Sequence, residues 1–363
     1  MRRVLIGSLV LVGALVLSVF ATTSSAGKQS REQTKFTIGF VTHVKGNPFI
    51  QQIIDGAQAA AKDLGVTLKV AGPAEFDADA QLKLVQDLVA AGADGVATSV
   101  PGESMVKALN GLIANGTPIV QFNLLSKNLR APYVGERSTA SGRKLGRLVA
   151  ARIGGRNATG KVVIGICAPG FPVLENRARG VKQGLRAASP RLNVRGPFDV
   201  KVAANENFAK WEQLYAANGD AKAGIGLCAP DVASLGKLNK TIGNKLIAGG
   251  YDTTAENLAA IEGGNAFVTL GQTPFVQGYM PVKMIYDALR TKKRLKVGFL
   301  ESGTEIVTRG GATEPYGLGK ISFAKVKQLA NSKAATRRYY TPLVKGKLRN
   351  YQKLLEPLAN EGK

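Results

Sequence analysis

Polar residues that can form hydrogen bonds recur directly after short apolar runs along this chain. The runs "FTIGFV", "GVAT", "PIVQF", "VVIGIC", "GIGLC", "LIAGGY" and "AFVTLG" are followed by His43, Asn47, Ser99, Asn123, Glu175, Asn176, Arg177, Asp231, Asp252 and Gln272. If each run is a buried strand, these side chains lie at the carboxyl ends of strands, where open α/β sheets bind their ligands. Their recurrence in both halves of the chain predicts a polar cleft between two domains.

Several of these residues also have a purely structural interpretation. His43 is the only histidine of the chain, and a single histidine at a strand end commonly serves packing. Asn47 precedes Pro48, and Asp231 precedes "VASLGKL", so both side chains suit the N-caps of helices. The sequence therefore leaves a packing role and a binding role open for each of them.

Catalytic and metal chemistry is not expected from these residue types. One histidine and two cysteines are too few ligands for a metal site of those residues, and a hydrolase would need that same histidine with a nucleophile motif that is absent. The segment "GGRNATGK", residues 154–161, has a phosphate-loop spacing but is followed by Val162 and precedes a strand. We therefore expect no enzyme activity, no metal and no cofactor.

The elements that must position the polar residues follow from periodicity. Short apolar runs alternate with longer amphipathic segments such as "NPFIQQIIDGAQAAAKDLG", in which Pro48 suits the first helical position and Gly65 the stop. Continuous apolar strands that alternate with helices are typical of parallel sheets covered on both faces. A chain of 363 residues with 45% hydrophobic residues has room for two such domains.

The first part of the chain is typical of an export signal. Arg2 and Arg3 precede the apolar run from Val4 to Phe20 and the small, polar "ATTSSA", so we expect cleavage after Ala26, although an uncleaved membrane anchor is an alternative. Residues 27–35 form a polar linker. The formal charge of +24 is spread over helix-like faces, which favours a soluble surface and no nucleic-acid partner.

The order and spacing of these segments resemble the type I periplasmic binding proteins, in the ribose-binding-like sugar group that serves ABC importers. The resemblance covers residues 36–318 and rests on "TIGFVTHVKGNPFIQQIIDGAQAAAKDLG", "AGADGVATSV", "GTPIVQFN", "RARGVKQGL", "GGYDTTAENLAAIEGG" and "GQTPFVQGYMPVKMIYDAL". It implies an α/β fold of two doubly wound parallel-sheet lobes joined by a multi-strand hinge. The N-terminal lobe would comprise residues 36–136 and 273–300, and the C-terminal lobe residues 137–272 and 301–320.

The same resemblance implies a function and roles for single residues. It implies an exported, monomeric solute-binding protein of the periplasm or cell surface, which captures a small sugar or polyol by hinge closure and delivers it to an ABC permease. Asn47 would bind a sugar hydroxyl, Phe49 would stack on the sugar ring, and Gln272 would be an amide ligand beside the hinge. Arg177 and Asp252 would be charged partners of hydroxyl groups. The resemblance also favours ligand contact for His43, and Glu136 completes the candidate set.

Two departures from the family pattern affect the ligand. Ribose-type members carry an Asp-Arg pair where this chain has Asn123-Leu124, and Asn before Asp where this chain has Pro230-Asp231. Loss of the Asp-Arg pair removes a bidentate clamp for hydroxyl groups, which puts ribose itself in doubt.

Three alternatives belong to other function classes. A DNA-binding repressor with this sensor fold is disfavoured because an export signal occupies the place of its helix-turn-helix. A binding protein for a non-sugar small molecule stays open. A surface- or wall-associated interaction protein could use residues 321–363, which hold ten Lys/Arg against two Glu. For that extension, a solvated helical structure is favoured over contact with anionic lipid or wall polymer.

Cys167 and Cys228 occupy near-identical settings, "GICAPG" and "GLCAPD". In the ribose-binding-like topology their strands would lie side by side, about 4.8 Å apart, within the Cα separation of a disulfide. An exported protein also meets an oxidising compartment. A bridge between directly adjacent parallel strands is geometrically awkward, however, so two free, packed thiols are favoured over a disulfide.

Overall fold

The computed structural model describes residues 35–313, 316 and 319–363. The predicted export signal and residues 27–34 of the predicted linker lie outside the described residues. The strands are β1 (Thr37–Val41), β2 (Thr67–Ala71), β3 (Gly95–Thr98), β4 (Ile119–Phe122), β5 (Tyr133–Gly135), β6 (Gly160–Ile166), β7 (Leu192–Asp199), β8 (Ala221–Gly226), β9 (Ile247–Tyr251), β10 (Val268–Gly271), β11 (Phe299–Glu301), β12 (Glu305–Thr308), β13 (Gly311–Thr313) and β14 (Lys320–Ile321).

The helices alternate with these strands up to β11 and follow them at the C-terminus. They are α1 (Pro48–Leu64), α2 (Ala78–Ala90), α3 (Val106–Ala114), α4 (Ser138–Ile153), α5 (Pro172–Ala188), α6 (Ala204–Ala216), α7 (Asp231–Thr241), α8 (Ala255–Glu262), α9 (Pro274–Thr291), α10 (Phe323–Asn331) and α11 (Lys333–Lys345). Short 3-10 helices span Glu103–Met105, Gly155–Asn157, Tyr351–Lys353 and Leu358–Gly362. Over the described ranges, no helix has both the length and the apolar character needed to cross a bilayer.

The first sheet has six strands in the order β11-β5-β4-β3-β1-β2, and all of its pairings are parallel. Strands β3 and β4 are buried along their whole length, because helices cover both faces of the sheet. Residues of α1 and α9 share one core with residues of β1, β3, β4 and β5. We call this sheet with α1, α2, α3 and α9 lobe 1.

The second sheet has eight strands in the order β14-β13-β12-β10-β9-β8-β6-β7. The pairings from β7 to β10 are parallel, whereas β12, β13 and β14 join the edge in antiparallel fashion. We call this sheet with α4 to α8 lobe 2. The predicted class of two parallel-sheet α/β lobes is confirmed, and the antiparallel edge is an addition to it.

Helix α1 forms as its sequence predicts. The Asn47 side chain accepts hydrogen bonds from the backbone amides of Phe49 and Ile50, Pro48 occupies the first turn, and Gly65 ends the helix at φ 69°. Gly56 lets α9 approach closely, since a Cβ at this position would lie 2.3 Å from the carbonyl oxygen of Phe275. The contact fixes the start of α9 beside the region where the lobes meet.

Three chain segments link the lobes side by side. They are residues 136–137 between β5 and α4, residues 272–273 between β10 and α9, and residues 302–304 between β11 and β12. The Ser302 amide donates to the carbonyl of Gly135 at 2.6 Å, and its hydroxyl donates to that of Gln272 at 2.9 Å. The lobes are therefore joined by a multi-strand hinge.

Cys167 and Cys228 form a disulfide, so the expectation of two free thiols is wrong. Their Cα atoms are 6.1 Å apart, within the usual range for a disulfide. Strands β6 and β8 are neighbours, as the resemblance implies, but both cysteines lie just beyond the strand ends. A disulfide can form there because the two backbones, beyond the strand ends, are no longer held at the fixed geometry of paired parallel strands.

The basic C-terminal extension packs against the folded lobes, so the expectation of a solvated helical extension is wrong. Lys327 on α10 pairs with Glu262 of lobe 2 at 2.7 Å. On α11, Tyr340, Leu343 and Val344 are buried in the lobe 1 core, and the Tyr340 ring stacks on Phe275 with centroids 5.5 Å apart. The lysines and arginines of the extension are the outer face of amphipathic helices whose apolar face is covered.

The last residues of the chain, 356–363, contact both lobes beside the hinge. Glu356 pairs through its backbone with Phe299 of lobe 1, and its carboxylate accepts from Arg137. Glu361 is fully buried and accepts from the Ser138 hydroxyl and, at 2.9 Å, from the Asn176 amide of lobe 2. The C-terminal end therefore covers the hinge.

Candidate functional site

An inner cavity of about 60 Å³ lies between the lobes at the carboxyl ends of both sheets. Seven of the twelve predicted site residues line it, namely His43, Asn47, Phe49, Asn123, Arg177, Asp252 and Gln272. They come from both lobes, which is the arrangement that the positions of these residues after strands predicted. That they bind a ligand stays a prediction.

Asn47 has both a structural and a possible binding role. Its Oδ1 accepts from the Phe49 amide at 2.9 Å and caps α1. Its amide nitrogen has no hydrogen-bond partner among the described residues and lies at the wall of the cavity. The cap fixes the side chain, so the nitrogen is a pre-positioned donor.

His43 is held in its neutral form and in one orientation. Its Nδ1 lies 3.1 Å from the Ser99 hydroxyl, which also accepts from the Gln81 amide at 3.2 Å. The Ser99 hydroxyl can donate to Nδ1 or accept from it, so this contact fixes the position of the ring without fixing which nitrogen carries the proton. Burial lowers the pKa of His43 to about 3. His43 is therefore a neutral hydrogen-bonding group at the cavity wall.

A hydrogen-bonded amide network connects the cavity to the hinge. The Asn123 amide donates to Gln277 Oε1 at 3.1 Å and to Gln272 Oε1 at 3.4 Å. Gln272 in turn donates to Asp252 Oδ1 at 2.7 Å, and Gln277 donates to the Gln272 carbonyl at 2.7 Å. Because Gln272 belongs to a link between the lobes, a ligand that contacts this network also contacts the hinge.

Three residues of this region have left-handed backbone conformations that non-glycine residues rarely adopt. The φ angles are 61° at Asn123, 74° at Asp252 and 48° at Thr273. Such conformations cost of order 1–3 kcal/mol each and persist where surrounding contacts impose them. They turn the Asn123 and Asp252 side chains to the cavity directly after β4 and β9.

Burial governs the ionisation of Asp252. Its carboxyl is almost fully buried, and this desolvation raises the pKa to about 6, although Arg177 and the Gln272 hydrogen bond act in the opposite direction. The carboxylate charges of Glu136 and Asp231 add to the increase. Asp252 can therefore change its protonation state near neutral pH.

Arg177 is a buried cation whose charge is already balanced. Its Nε donates to Glu136, its Nη1 donates to the Leu227 carbonyl at 2.8 Å, and its guanidinium lies 4.0 Å from the centre of the Tyr251 ring. These contacts leave the guanidinium unavailable for bidentate binding of a ligand carboxylate. The cavity therefore suits a neutral ligand better than an anionic one.

The structure does not bring the other five predicted residues to the inner cavity. Ser99 supports His43, Glu136 pairs with Arg177, and Asn176 donates to Glu361. The exposed Glu175 accepts from the Gly170 amide at 2.9 Å.

Asp231, the fifth, is fully buried inside lobe 2. Its carboxylate accepts from the Asn207 amide at 2.7 Å and from the Trp211 indole at 2.9 Å. This geometry gives Asp231 and the other four residues supporting roles and does not favour direct ligand contact for them.

Two aromatic residues of the site were not predicted. Phe76 of lobe 1 lies 5.1 Å from the His43 ring and 5.3 Å from the Phe171 ring of lobe 2, measured between ring centroids. Both rings line the cavity and meet across the cleft. A signal existed, because Phe76 follows β2 and Phe171 follows β6, as the predicted polar residues follow their strands.

A wider outer cavity of about 700 Å³ adjoins the inner one and shares Asn47, Phe76 and Pro230 with it. Its charged lining residues are Lys45, Glu75, Asp199, Lys201, Glu206 and Glu256. The inner cavity has room for only a few water molecules, whereas pockets that bind small molecules are usually about 300–1,000 Å³. The described geometry is therefore a small inner site that adjoins a wider cavity with a charged lining.

Comparisons with known proteins agree with this architecture. A family model described as a periplasmic binding protein domain matches residues 38–293. The chain is 22% identical over 312 residues to the xylose/arabinose-binding protein of Sulfolobus acidocaldarius, covering 79% of this chain and 74% of that protein. It is 27% identical over 288 residues to the ribose import binding protein of Haemophilus influenzae, covering 77% and 92%.

Solved structures show the same fold. A glucose-galactose binding protein of Geobacillus stearothermophilus matches with a TM-score of 0.69 and 24% identity, over 76% of this chain and 97% of that chain. A solute-binding protein of Burkholderia graminis, solved with D-arabinose, matches with a TM-score of 0.71 and 20% identity, over 76% and 95%.

Proposed function

This chain belongs to the periplasmic binding protein domain family, and we propose that it captures a small sugar or polyol between its lobes and delivers it to an ABC transporter permease. Membership of this family of substrate-binding proteins confirms the prediction that the chain is not an enzyme. Relatives named for binding xylose, arabinose and ribose support a sugar-like ligand.

The observation that carries the proposal is the set of side chains around the inner cavity. Asn47, Asn123, Asp252 and Gln272 supply amide and carboxyl groups from both lobes, and His43 adds a neutral imidazole. Sugar hydroxyls both donate and accept hydrogen bonds, so a mixed set of this kind can satisfy each of them. The Phe49, Phe76 and Phe171 rings supply apolar surface for the faces of the ring.

Ligand entry requires the lobes to separate. The inner cavity is smaller than a sugar, and the Phe76–Phe171 contact spans the two lobes in front of it. Rotation about the links at residues 136–137, 272–273 and 302–304 would part these rings, and closure would return them over the ligand. Gln272 contacts both cavity and hinge, so ligand binding favours the closed form.

The site favours a neutral ligand of modest size. Arg177 is engaged by Glu136, and Leu124 stands where ribose-type members have a second cation. A pentose, hexose or polyol other than ribose fits these features best. A non-sugar molecule with a similar arrangement of hydroxyls is the second candidate.

The proposed setting is outside the cytoplasm, in the periplasm or at the cell surface, with the protein acting as a monomer. The family and the export signal predicted for residues 1–26 support this location. An ABC permease that recognises the closed form is the proposed protein partner. No cofactor and no nucleic acid enter this function.

A thermal-shift screen tests the proposal. Residues 27–363 are heated with pentoses, hexoses, polyols and amino sugars, and a ligand at 100 times its Kd should add about 2.7 kcal/mol of stability. The Gln272→Leu variant should lose this shift, because one hydrogen-bonding group of the cavity is removed. Glu175→Gln, an exposed change outside the cavity, is the control and should keep the shift. Equal shifts in both variants, or none in the parent with any compound, would count against the proposal.

A further inference from the structure

A group of unpaired basic side chains surrounds a cavity of about 470 Å³ at the end of α9. The cations that line the cavity are Lys283, Arg290, Lys293, Arg294, Lys296 and Arg349, and the only carboxylate of its lining is Asp287, which pairs with Lys283 at 2.7 Å. The other five cations are exposed and form no ion pair within the described part of the chain. We call these five residues the basic pole.

The basic pole lies on lobe 1 at the end opposite the cleft. Helix α9 begins at Pro274, beside the hinge, and runs the length of the lobe to Thr291. Strand β11 then runs parallel to β5, so its first residue, Phe299, lies at the amino ends of the strands, which is the end of the sheet away from the cleft. Residues 290–298 connect these two points and therefore lie at the far end of the lobe.

The chain enters the fold at the same place. Strand β1 is parallel to its neighbours, so its first residue also lies at the end of the sheet away from the cleft. The Phe36 ring lies 6.2 Å from the Tyr286 ring of α9, and the Arg290 guanidinium lies 6.0 Å from the centre of that Tyr286 ring. The described part of the chain therefore begins beside the basic pole.

Exposed aliphatic side chains accompany the cations. Val297 is 46% exposed and Leu354 is 40% exposed, and they are two of the three exposed large hydrophobic residues in the described ranges. Val297 directly follows Lys296, and Leu355, the neighbour of Leu354, lines the basic cavity. Cations together with exposed aliphatic side chains are typical of surfaces that bind the interface of anionic bilayers. A small soluble anion would contact only the cations, and the exposed aliphatic side chains would have no role in binding it.

We propose that the basic pole is a docking surface for the anionic surface of a lipid bilayer. The cations contact lipid phosphates, and Val297 and Leu354 enter the boundary between headgroups and acyl chains. Lobe 1 then rests on the membrane by its far end, in a docked state that the protein leaves before it delivers ligand to a permease. This surface is separate from the proposed sugar site and does not depend on it.

Vesicle sedimentation tests the electrostatic part. Residues 27–363 contain the whole described fold and lack the apolar run, and they should bind phosphatidylcholine vesicles that contain phosphatidylglycerol but not pure phosphatidylcholine vesicles. Each basic residue contributes about fivefold to partitioning onto anionic lipid, so a Lys293→Gln, Arg294→Gln, Lys296→Gln variant should bind about 100-fold more weakly. Equal binding to neutral vesicles would overturn the proposal.

A matched control separates the basic pole from the overall charge. Arg156, Lys222 and Lys245 are exposed, unpaired cations of lobe 2, and changing all three to Gln removes the same charge. This control should keep vesicle binding to within about threefold of the parent. If it loses as much as the basic-pole variant, the binding is a general effect of net charge and the proposal is wrong.

The aliphatic residues distinguish a bilayer from a soluble anionic polymer. A Val297→Ser, Leu354→Ser variant keeps every charge and should bind anionic vesicles several-fold more weakly than the parent, with an unchanged melting temperature. If it binds as well as the parent, the cations alone account for the attraction. The partner would then be an anionic polymer, and the bilayer assignment would be refuted.

Discussion

Replacement of Asp252 by Asn should remove the pH dependence of ligand binding. A carboxylate accepts hydrogen bonds from two sugar hydroxyls, whereas a protonated carboxyl must donate one and accepts less well. Burial raises the pKa of Asp252 to about 6, the charge of Arg177 acts in the opposite direction, and the charges of Glu136 and Asp231 add to the increase. His43 stays neutral across this range because burial lowers its pKa to about 3. Asp252 is therefore the group at the inner cavity that titrates near pH 6.

The expected size of the effect follows from the pKa. With a pKa of about 6, roughly 97% of the carboxyl is ionised at pH 7.5 and roughly 9% at pH 5. If only the carboxylate binds ligand, affinity falls about tenfold over this interval, which corresponds to about 1.4 kcal/mol. The Asn variant should bind about 1–3 kcal/mol more weakly at pH 7.5, and its affinity should be the same at pH 5.

The stability of the unliganded protein should change with pH in the opposite direction. The folded-state pKa of Asp252 lies above that of an exposed carboxyl, about 3.9, so the folded state retains a proton that the unfolded state releases. This group stabilises the folded state below about pH 4, and the contribution is lost as pH rises through about 6. Acidification therefore weakens ligand binding without a loss of folded-state stability from this residue.

Isothermal calorimetry between pH 5 and 7.5, with the ligand found in the screen, measures the effect. Asp231→Asn is the matched control, because burial also raises the pKa of Asp231 to about 6 but its carboxylate bonds to Asn207 and Trp211 away from the cavity. The control should keep a pH dependence of similar size, with its midpoint at a slightly lower pH because the Asp231 charge contributes to the raised pKa of Asp252. A parent affinity that is constant with pH, or a pH slope that survives in Asp252→Asn, would refute the reasoning.

Three further predictions concern other parts of the molecule. His43→Phe should weaken ligand binding by about 1–3 kcal/mol without altering its pH profile, and unchanged affinity in calorimetry would return His43 to a packing role. Unreduced, denatured protein should show no reactive thiol, and the Cys167→Ser, Cys228→Ser variant should lose about 4 kcal/mol of unfolding free energy in urea, since the disulfide closes a loop with a sequence separation of 61. Removal of residues 358–363 should lower the melting temperature and increase hydrogen exchange at the hinge; retention of parental exchange rates there would show that the C-terminal end does not restrain the hinge.

The sequence predicted those features that local patterns determine. Helix α1 begins and ends where Pro48 and Gly65 predict, and the apolar runs form parallel strands, because the burial of both sheet faces leaves a continuous apolar signal. The position of polar residues after strands predicted six of the residues that line one cavity, and the family resemblance predicted the seventh, Phe49. These predictions need no knowledge of which distant residues meet.

The missed features depend on contacts between distant parts of the chain. Asn176 follows a strand as Arg177 does, but Glu361, far along the chain, accepts its hydrogen bond. Asp231 follows β8 in the chain as Asp252 follows β9, but it begins α7, and its carboxylate is turned inward by hydrogen bonds from Asn207 and Trp211 of α6. The disulfide was missed because residue types do not show where a strand ends. Strands β6 and β8 end just before Cys167 and Cys228, and the backbone there is free to adopt the geometry of a disulfide.

Because residues 356–363 are packed against both lobes, they join the fold after the lobes during synthesis. Synthesis begins at the N-terminus, so the partners of Glu361 on α4 and α5 are complete long before Glu361 itself is available. Both lobes can form their sheets during this interval with the hinge uncovered. These contacts are made only when residues 356–363 have left the machinery that produces them. A fusion partner joined after Lys363 would remain beside the hinge, whereas one joined ahead of residue 35 would lie at the opposite end of lobe 1.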